Sequence, residues 1–314
     1  MTGTPIFTGR HVEQAVSPDR AVEAVRSAFI AYARGEWSMP PKTYVTNYPA
    51  GDFRAMPALG GGHALLKWVT SFPGNPLQGL PTVTGVVLLS DAENGQLKAV
   101  LDAAALTALR TGAAAVLAAE TLGRSDAQTA AVIGAGVNGR AAARTFLARG
   151  RDVMLWDLNE GRAQHVAAEL GATVAPSLEH ALAADLLVTV TPGHEILLRA
   201  GSLREGQHVS LMGADGPGKA EADATELERA HLFCDDWEQA SHGGELAHAV
   251  EAGIVTLDDV TTLGDVLNGT ARGRANENEI TAFDSTGLAI QDLAIALAAI
   301  EAKIDVPDLP HLEL

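Results

Sequence analysis

The sequence predicts an α/β protein: a doubly wound parallel sheet preceded by an α+β region whose sheet is largely antiparallel. Three observations point to it. From Gln128 onward short apolar segments alternate with helical ones, as in strand–helix–strand crossovers. Before residue 103, β-rich segments follow one another across tight turns with no helix between them, which suits antiparallel pairing. Between the two regions, residues 103–122 form an alanine-rich run that reads as one long helix leading to Gly123. The domain boundary is placed inside that helix. Residues 1–113 with 288–314 make one expected domain and residues 114–287 the other.

The first expected element is a helix opened by Ser17-Pro18-Asp19-Arg20, with Ser17 as cap and Pro18 in the first turn. Val22, Val25, Phe29 and Tyr32 recur along it at helical spacing, and it ends near Gly35. Strands are predicted at 43–48, 53–59, 65–72, 82–91 and 96–102, the last two joined by a hairpin turn at Glu93-Asn94-Gly95. After the long helix come a strand at 129–133, a helix at 137–149, a strand at 152–157, a helix at 160–170, a short strand near Thr173 and a helix at 178–183. Further strands are predicted at 186–191, 208–212 and 231–234. Residues 285–303 read as a strongly apolar amphipathic helix that packs back on the first domain or on a partner subunit.

Composition narrows the possible roles. The 314 residues carry 22 basic against 39 acidic side chains, a formal charge of −17, with no block of Lys or Arg. Phosphate backbones and anionic lipid surfaces both need a cationic face, so neither nucleic acid nor a membrane is an expected partner. No apolar run is read as approaching the roughly 20 residues of a bilayer span, and residues 1–10 lack the pattern of a signal peptide. A lone cysteine, Cys234, forms no internal disulfide and fits a reducing, cytoplasmic setting. No metal is expected, because the ten histidines show no ligand spacing. Lysines are scarce, only Lys42, Lys67, Lys98, Lys219 and Lys303. Against an arginine-rich background, a retained lysine favours a role for its titratable ammonium.

The run Gly134-Ala135-Gly136-Val137-Asn138-Gly139 follows a short apolar strand and opens a helix. That is the Rossmann-type dinucleotide fingerprint: a first glycine for the tight turn, a second for close approach of a pyrophosphate, and a third for helix–strand packing. Asp157 ends the next strand, close to the roughly 20-residue offset of the acid that binds the ribose 2′-OH. An acid there repels a 2′-phosphate, so NAD is expected over NADP. Arg162, one turn further on, is a possible counter-charge.

Three polar residues stand in apolar or glycine-rich settings. Lys67 interrupts Leu65-Leu66-Lys67-Trp68-Val69; either it lies on the solvent face of its strand or it needs a partner or ligand. Arg110 is the sole basic residue of the long helix, exposed or suited to grip a carboxylate bidentately. Asp215 lies in Gly213-Ala214-Asp215-Gly216-Pro217-Gly218-Lys219 after a parallel strand, either a solvated turn residue or one facing the ligand crevice at the strand ends. His63 reads as a loop residue, Cys234 as a small core residue, and Trp68, Trp156 and Trp237 as packing.

At these residues the chain resembles the ornithine cyclodeaminase/mu-crystallin family. The resemblance rests on Arg54-Ala55-Met56-Pro57-Ala58, residues 67–70, Phe72-Pro73-Gly74-Asn75-Pro76 with Gly79-Leu80-Pro81, residues 106–112, the glycine loop, residues 213–221, and Phe283-Asp284-Ser285-Thr286-Gly287 through Asp292. It implies a homodimer joined through the sheets of its first domains, which also bind substrate, with the active site between that domain and the Rossmann domain. It implies that Lys67 and Arg110 hold a substrate carboxylate and that Asp215 is the general acid/base; with Arg110 beside it, the charged form of Lys67 is disfavoured, so Lys67 is expected to share in proton transfer. Thr111, Thr191, Met212, Lys219 and Ser285 would line the cofactor together with the loop residues.

Within the family the similarity lies toward the archaeal-type alanine dehydrogenase branch, on Met39-Pro40-Pro41-Lys42, Gly51-Asp52-Phe53-Arg54 and residues 236–245. Lys42 replaces an arginine of the cyclodeaminases and Arg54 a glutamate. Arg54 would repel the distal ammonium of ornithine and favour a small uncharged side chain. The expected reaction is therefore reversible, NAD-dependent oxidative deamination of L-alanine to pyruvate and ammonia. Reduction of a cyclic imine such as pyrroline-2-carboxylate, ornithine cyclisation, and a non-catalytic nucleotide-dependent binding role remain as alternatives.

Overall fold

The computed structural model describes residues 3–216, 218–302 and 308–313. The chain divides into two compact units, Met1–Arg110 with Leu288–Leu314, and Thr111–Gly287.

The first unit opens with β1 (Thr4–Phe7), α1 (Gly9–Ala15) and α2 (Pro18–Ala33). Ser17 caps α2 by accepting the Arg20 N–H at 3.2 Å, and Pro18 occupies a position whose N–H has no helical partner in any case. Val22, Val25 and Phe29 are fully buried. An antiparallel meander follows: β2 (Thr43–Asn47), β3 (Gly51–Gly60), β4 (His63–Ser71), β5 (Val83–Asp91) and β6 (Leu97–Asp102). Between β5 and β6, Gly95 takes a φ of 73° and Asp91 accepts the Glu93 N–H, which closes the predicted hairpin. The two-residue period of β4 turns Leu65, Lys67 and Val69 to the buried face and leaves Leu66 and Trp68 exposed.

The chain leaves this unit within α3 (Ala103–Leu122). By length and composition α3 is apolar enough to cross a membrane, which corrects the expectation that no segment approaches that length. Most of it is buried inside the structure, as for a core helix whose small residues admit close neighbours.

The second unit alternates β7 (Thr129–Ile133), α4 (Val137–Ala148), β8 (Asp152–Trp156), α5 (Glu160–Leu170), β9 (Thr173–Val174), α6 (Leu178–Ala181), β10 (Leu186–Thr189) and β11 (His208–Leu211). It continues through α7 (Ala224–Leu227), β12 (His231–Cys234), α8 (Trp237–Gly243), α9 (Ala247–Glu251), β13 (Val260–Thr262), α10 (Leu263–Asn268) and β14 (Thr281–Asp284). Its eight strands are parallel throughout, in the order β13-β12-β14-β11-β10-β7-β8-β9. The chain winds outward through β8 and β9, then returns to start again at β10. The order therefore reverses between β7 and β10, and in open α/β sheets the crevice at that reversal takes the ligand.

The chain then rejoins the first unit with α11 (Ala289–Glu301) and β15 (His311–Leu312). β15 pairs with β1, and the seven-stranded sheet runs β15-β1-β6-β5-β4-β3-β2 with only β1 and β6 parallel. α11 packs on α2, β3 and β4. The fold class is the one predicted, with corrections in detail. The tail helix begins at Ala289 rather than 285, because β14 fills 281–284 and Ser285, Thr286 and Gly287 all donate to the Asp235 carboxylate. Its predicted end at Lys303 lies outside the described residues. β1, β13, β14 and β15 were not anticipated.

Candidate active site

In the first unit Lys67 sits mid-strand in β4, opposite Met56 on β3 and Val87 on β5, and is buried to 2% exposure. Its solvent-face reading is thereby excluded. Nζ donates to Thr107 Oγ1 at 2.6 Å and to Asp292 Oδ1 at 3.0 Å. Arg110 lies one helical turn beyond Thr107 on α3. Its Nη1 donates to Gln291 Oε1 at 3.4 Å and its Nε stands 3.6 Å from Asp292 Oδ1. Arg110 Nε, Gln291 Nε2 and Asp292 Oδ2 are buried with no hydrogen-bond partner. Orphaned buried groups of this kind are costly unless a ligand completes them.

Burial lowers Lys67 from the ordinary lysine range to about 8; Asp292 pulls it back up, while Arg110 and Arg54 push it further down. Arg54 on β3 donates from Nε and Nη2 to the two oxygens of Asp52 at 2.6 and 3.3 Å, and its guanidinium stands 5.4 Å from the centre of the Tyr44 ring. Lys42 is half-buried just before the edge strand β2.

In the second unit the glycine loop joins β7 to α4. Gly134 takes a φ of 105°, and a Cβ there would meet the Val190 carbonyl at 2.7 Å. A Cβ on Gly139 would overlap the Gly134 carbonyl, whereas one on Gly136 would enter open space. Gly136 is the N-cap of α4 and supplies no side chain to its free N–H groups. Asp157 accepts the Ala135 and Asn159 N–H groups at 2.8 Å each, so its charge is fixed beside the loop; Arg162 Nη1 lies 3.5 Å from it. Val137 within the loop and Leu158 next to Asp157 are exposed apolar side chains. An open cradle of N–H donors, an acid beside it and apolar flanks fit a dinucleotide.

Beyond β11, the Asp215 Oδ1 accepts Lys219 Nζ at 2.5 Å. Pro217, between them, lies outside the described residues. Met212 is buried, and its N–H donates to the Thr189 carbonyl. Thr191 turns its hydroxyl inward onto Glu221 at 2.6 Å, and Ser285 turns its hydroxyl onto Asp235 at 3.1 Å. Thr111 Oγ1 is buried without a partner. Glu221 is wholly buried and also accepts Thr189 Oγ1, Thr191 N–H and Gly213 N–H. Burial pushes Glu221 up, and these donors pull it back. Glu245 accepts the Glu221 and Ala222 N–H groups; burial and the Glu221 charge raise it to about 8.

Sequence reasoning placed Lys67 and Arg110 but missed the residues that join them, Thr107, Gln291 and Asp292. Gln291 and Asp292 carried a signal, as two polar residues in the first turn of a helix that is then apolar up to its terminal Glu301. Glu221 and Glu245 gave none, since their partners are backbone groups and hydroxyls brought in by tertiary structure.

The profile of the ornithine cyclodeaminase/mu-crystallin family matches residues 4–304. The chain is 43% identical over 307 residues to an alanine dehydrogenase of Archaeoglobus fulgidus, covering 95% of this chain and 94% of that protein. Its structure superposes on an archaeal alanine dehydrogenase dimer with bound NAD at a TM-score of 0.93, with 41% identity and 99% of both chains covered. It superposes at 0.91 on the Δ1-pyrroline-2-carboxylate reductase of Thermococcus litoralis in complex with NADH and L-proline, with 26% identity, covering 98% of this chain and all of that one. On this match across nearly its whole length, the chain belongs to the ornithine cyclodeaminase/mu-crystallin family.

Proposed function

We propose that this protein is an NAD-dependent amino-acid dehydrogenase that converts a small L-amino acid, L-alanine foremost, reversibly to its 2-oxo acid and ammonia. The observation that carries the reading is the buried trio of Lys67, Arg110 and Asp292. Two cations and one anion leave one positive charge uncancelled, which matches a single substrate carboxylate. The orphaned Nε of Arg110 and Nε2 of Gln291 are donors that such a carboxylate would satisfy. The paired charges of Arg54 and Asp52 leave little net field for a charged side chain. The likeness to alanine dehydrogenases supports the same choice.

NAD would be held by residues 134–139, with Asp157 on the ribose and Thr111, Thr191, Met212, Lys219 and Ser285 as further lining. Bound there, the nicotinamide would supply the acceptor for the hydride leaving the substrate Cα. Lys67 and Arg110 orient the acid so that Cα has one presentation. Asp215 takes the proton of the water that attacks the imine carbon and returns it to the departing amine, so that amino acid, water and oxidised cofactor give 2-oxo acid, ammonium, reduced cofactor and one proton. Lys42 adds positive field for the carboxylate, whereas the charge of Arg54 is taken up by Asp52. The fixed charge of Asp157 disfavours a 2′-phosphate.

A homodimer belongs to the same proposal. Leu66 and Trp68 on β4 lie opposite Leu88 and Val86 on β5, and Leu66, Trp68 and Leu88 form an exposed apolar patch that a second copy would cover. A reducing, cytoplasmic setting fits the buried free Cys234.

The test is a substrate panel: NAD reduction with L-alanine, L-ornithine and L-proline, and NADH oxidation with pyruvate plus ammonia and with pyrroline-2-carboxylate. Turnover of alanine and pyruvate is expected, with NAD preferred over NADP. Turnover confined to the cyclic imine would replace the reading by that of a cyclic-imine reductase, the activity named for the Thermococcus litoralis neighbour.

A further inference from the structure

We propose that Asp292 and Thr107 are positioning residues that occupy two of the three outer positions of the Lys67 amine and so reserve one position on Nζ for the substrate. This rests on the reading of Lys67 as a substrate-contacting group and deepens it. The Thr107 hydroxyl donates to the Ala103 carbonyl at 2.5 Å, so toward Lys67 it acts as acceptor, at 2.6 Å. Asp292 Oδ1 accepts the second N–H at 3.0 Å. A tetrahedral nitrogen bonded to Cε then keeps one position, an N–H donor when protonated and a lone pair when neutral. The proton exchanged with the substrate is the one at that position.

Among the described residues, the charges acting on Nζ are Asp292 on α11, Arg110 on α3 and Arg54 on β3, the last itself paired with Asp52; β5 sets Val87 opposite Lys67. Asp292 is the anion bonded to Nζ. Without its charge the amine faces two guanidinium groups from inside the protein, and the reserved proton leaves at lower pH. Burial has already brought Lys67 to about 8, so a modest further fall crosses neutrality.

The test compares the pH profiles of kcat and kcat/KM, and the dissociation constant of NADH, in wild type, Asp292→Asn, Thr107→Val, Thr107→Ser and Lys67→Arg. Asp292→Asn is expected to move the Lys67 limb acidward by about one pH unit or more and to lower kcat at neutral pH about tenfold. NADH affinity should stay within about twofold, since no cofactor contact is removed. Thr107→Val should lower kcat in the same sense and Thr107→Ser should restore it, a rescue that lost packing alone would not give. An unmoved limb in Asp292→Asn, or wild-type kcat in Thr107→Val, overturns the proposal. Should Asp292→Asn fail to fold, the Thr107 pair decides alone. Wild-type activity in Lys67→Arg is a different failure, removing the parent reading of Lys67 itself.

Discussion

Arg54 grips Asp52 through two N–H···O contacts of 2.6 and 3.3 Å, and both side chains are largely buried. The pair is therefore close to neutral as seen from a substrate, and either partner removed alone leaves a charge behind. Arg54→Ala leaves the Asp52 carboxylate and should raise kcat/KM for L-ornithine relative to L-alanine by about tenfold. Asp52→Ala leaves the guanidinium and should shift preference toward 2-oxo acids with a second carboxylate. Unchanged ratios in both variants would remove this pair from specificity.

The glycine loop gives a paired prediction from steric contrast. Gly139→Ala forces a Cβ onto the Gly134 carbonyl, so loss of stability by about 2 kcal/mol or more is expected together with loss of NADH binding. Gly136→Ala meets nothing in the fold and should leave Tm nearly unchanged, yet weaken NADH binding about tenfold by filling the cradle. Thermal melts and fluorescence titration separate the two. Normal binding in Gly136→Ala would place the cofactor elsewhere.

Glu245 links stability to pH. Burial and the neighbouring Glu221 raise it to about 8, so between the ordinary glutamate range and that value the folded chain keeps a proton that the unfolded chain releases. Its contribution to stability is accordingly lost as pH rises through that window. Glu245→Gln removes the linkage, and its Tm should fall less than that of wild type between about pH 5 and 8. Parallel Tm curves would show that Glu245 is ionised throughout.

The proposed dimer is tested on the outer face of β4. Leu66 is exposed, and its side chain has no role in the Lys67 cluster on the opposite face. Leu66→Glu should yield monomers by light scattering with the fold retained by circular dichroism, because an interface core does not accept an unpaired charge. A dimer of wild-type affinity would move the interface to another face.

Much of this was legible in the sequence. Ser17-Pro18, the Glu93-Asn94-Gly95 turn and the glycine loop are local signals, and each marks the element expected of it. β1 and β15 could not be seen, because they are short and become strands only by pairing with each other and with β6. β14 is four residues long and merged with the apolar tail that follows it. Lys67 and Arg110 stood out by their apolar surroundings, whereas their link through Asp292 depends on a contact between residues 225 positions apart. The inward turn of Thr191 and Ser285 onto buried carboxylates had no local signature either.

That long reach bears on how the protein is made. The first unit is begun by residues 1–110 but closed by α11, which the ribosome delivers only after the whole of the second unit. Until then Lys67 has no Asp292 beside it, and the inner face of β3 and β4 lacks the helix that covers it. The second unit is contiguous in the chain and is free to mature during translation, while the first must wait for its last segment. An expression system that slows synthesis would then help the parallel-sheet unit and prolong the exposure of the antiparallel one, making the latter the part of the newborn chain that most needs a chaperone.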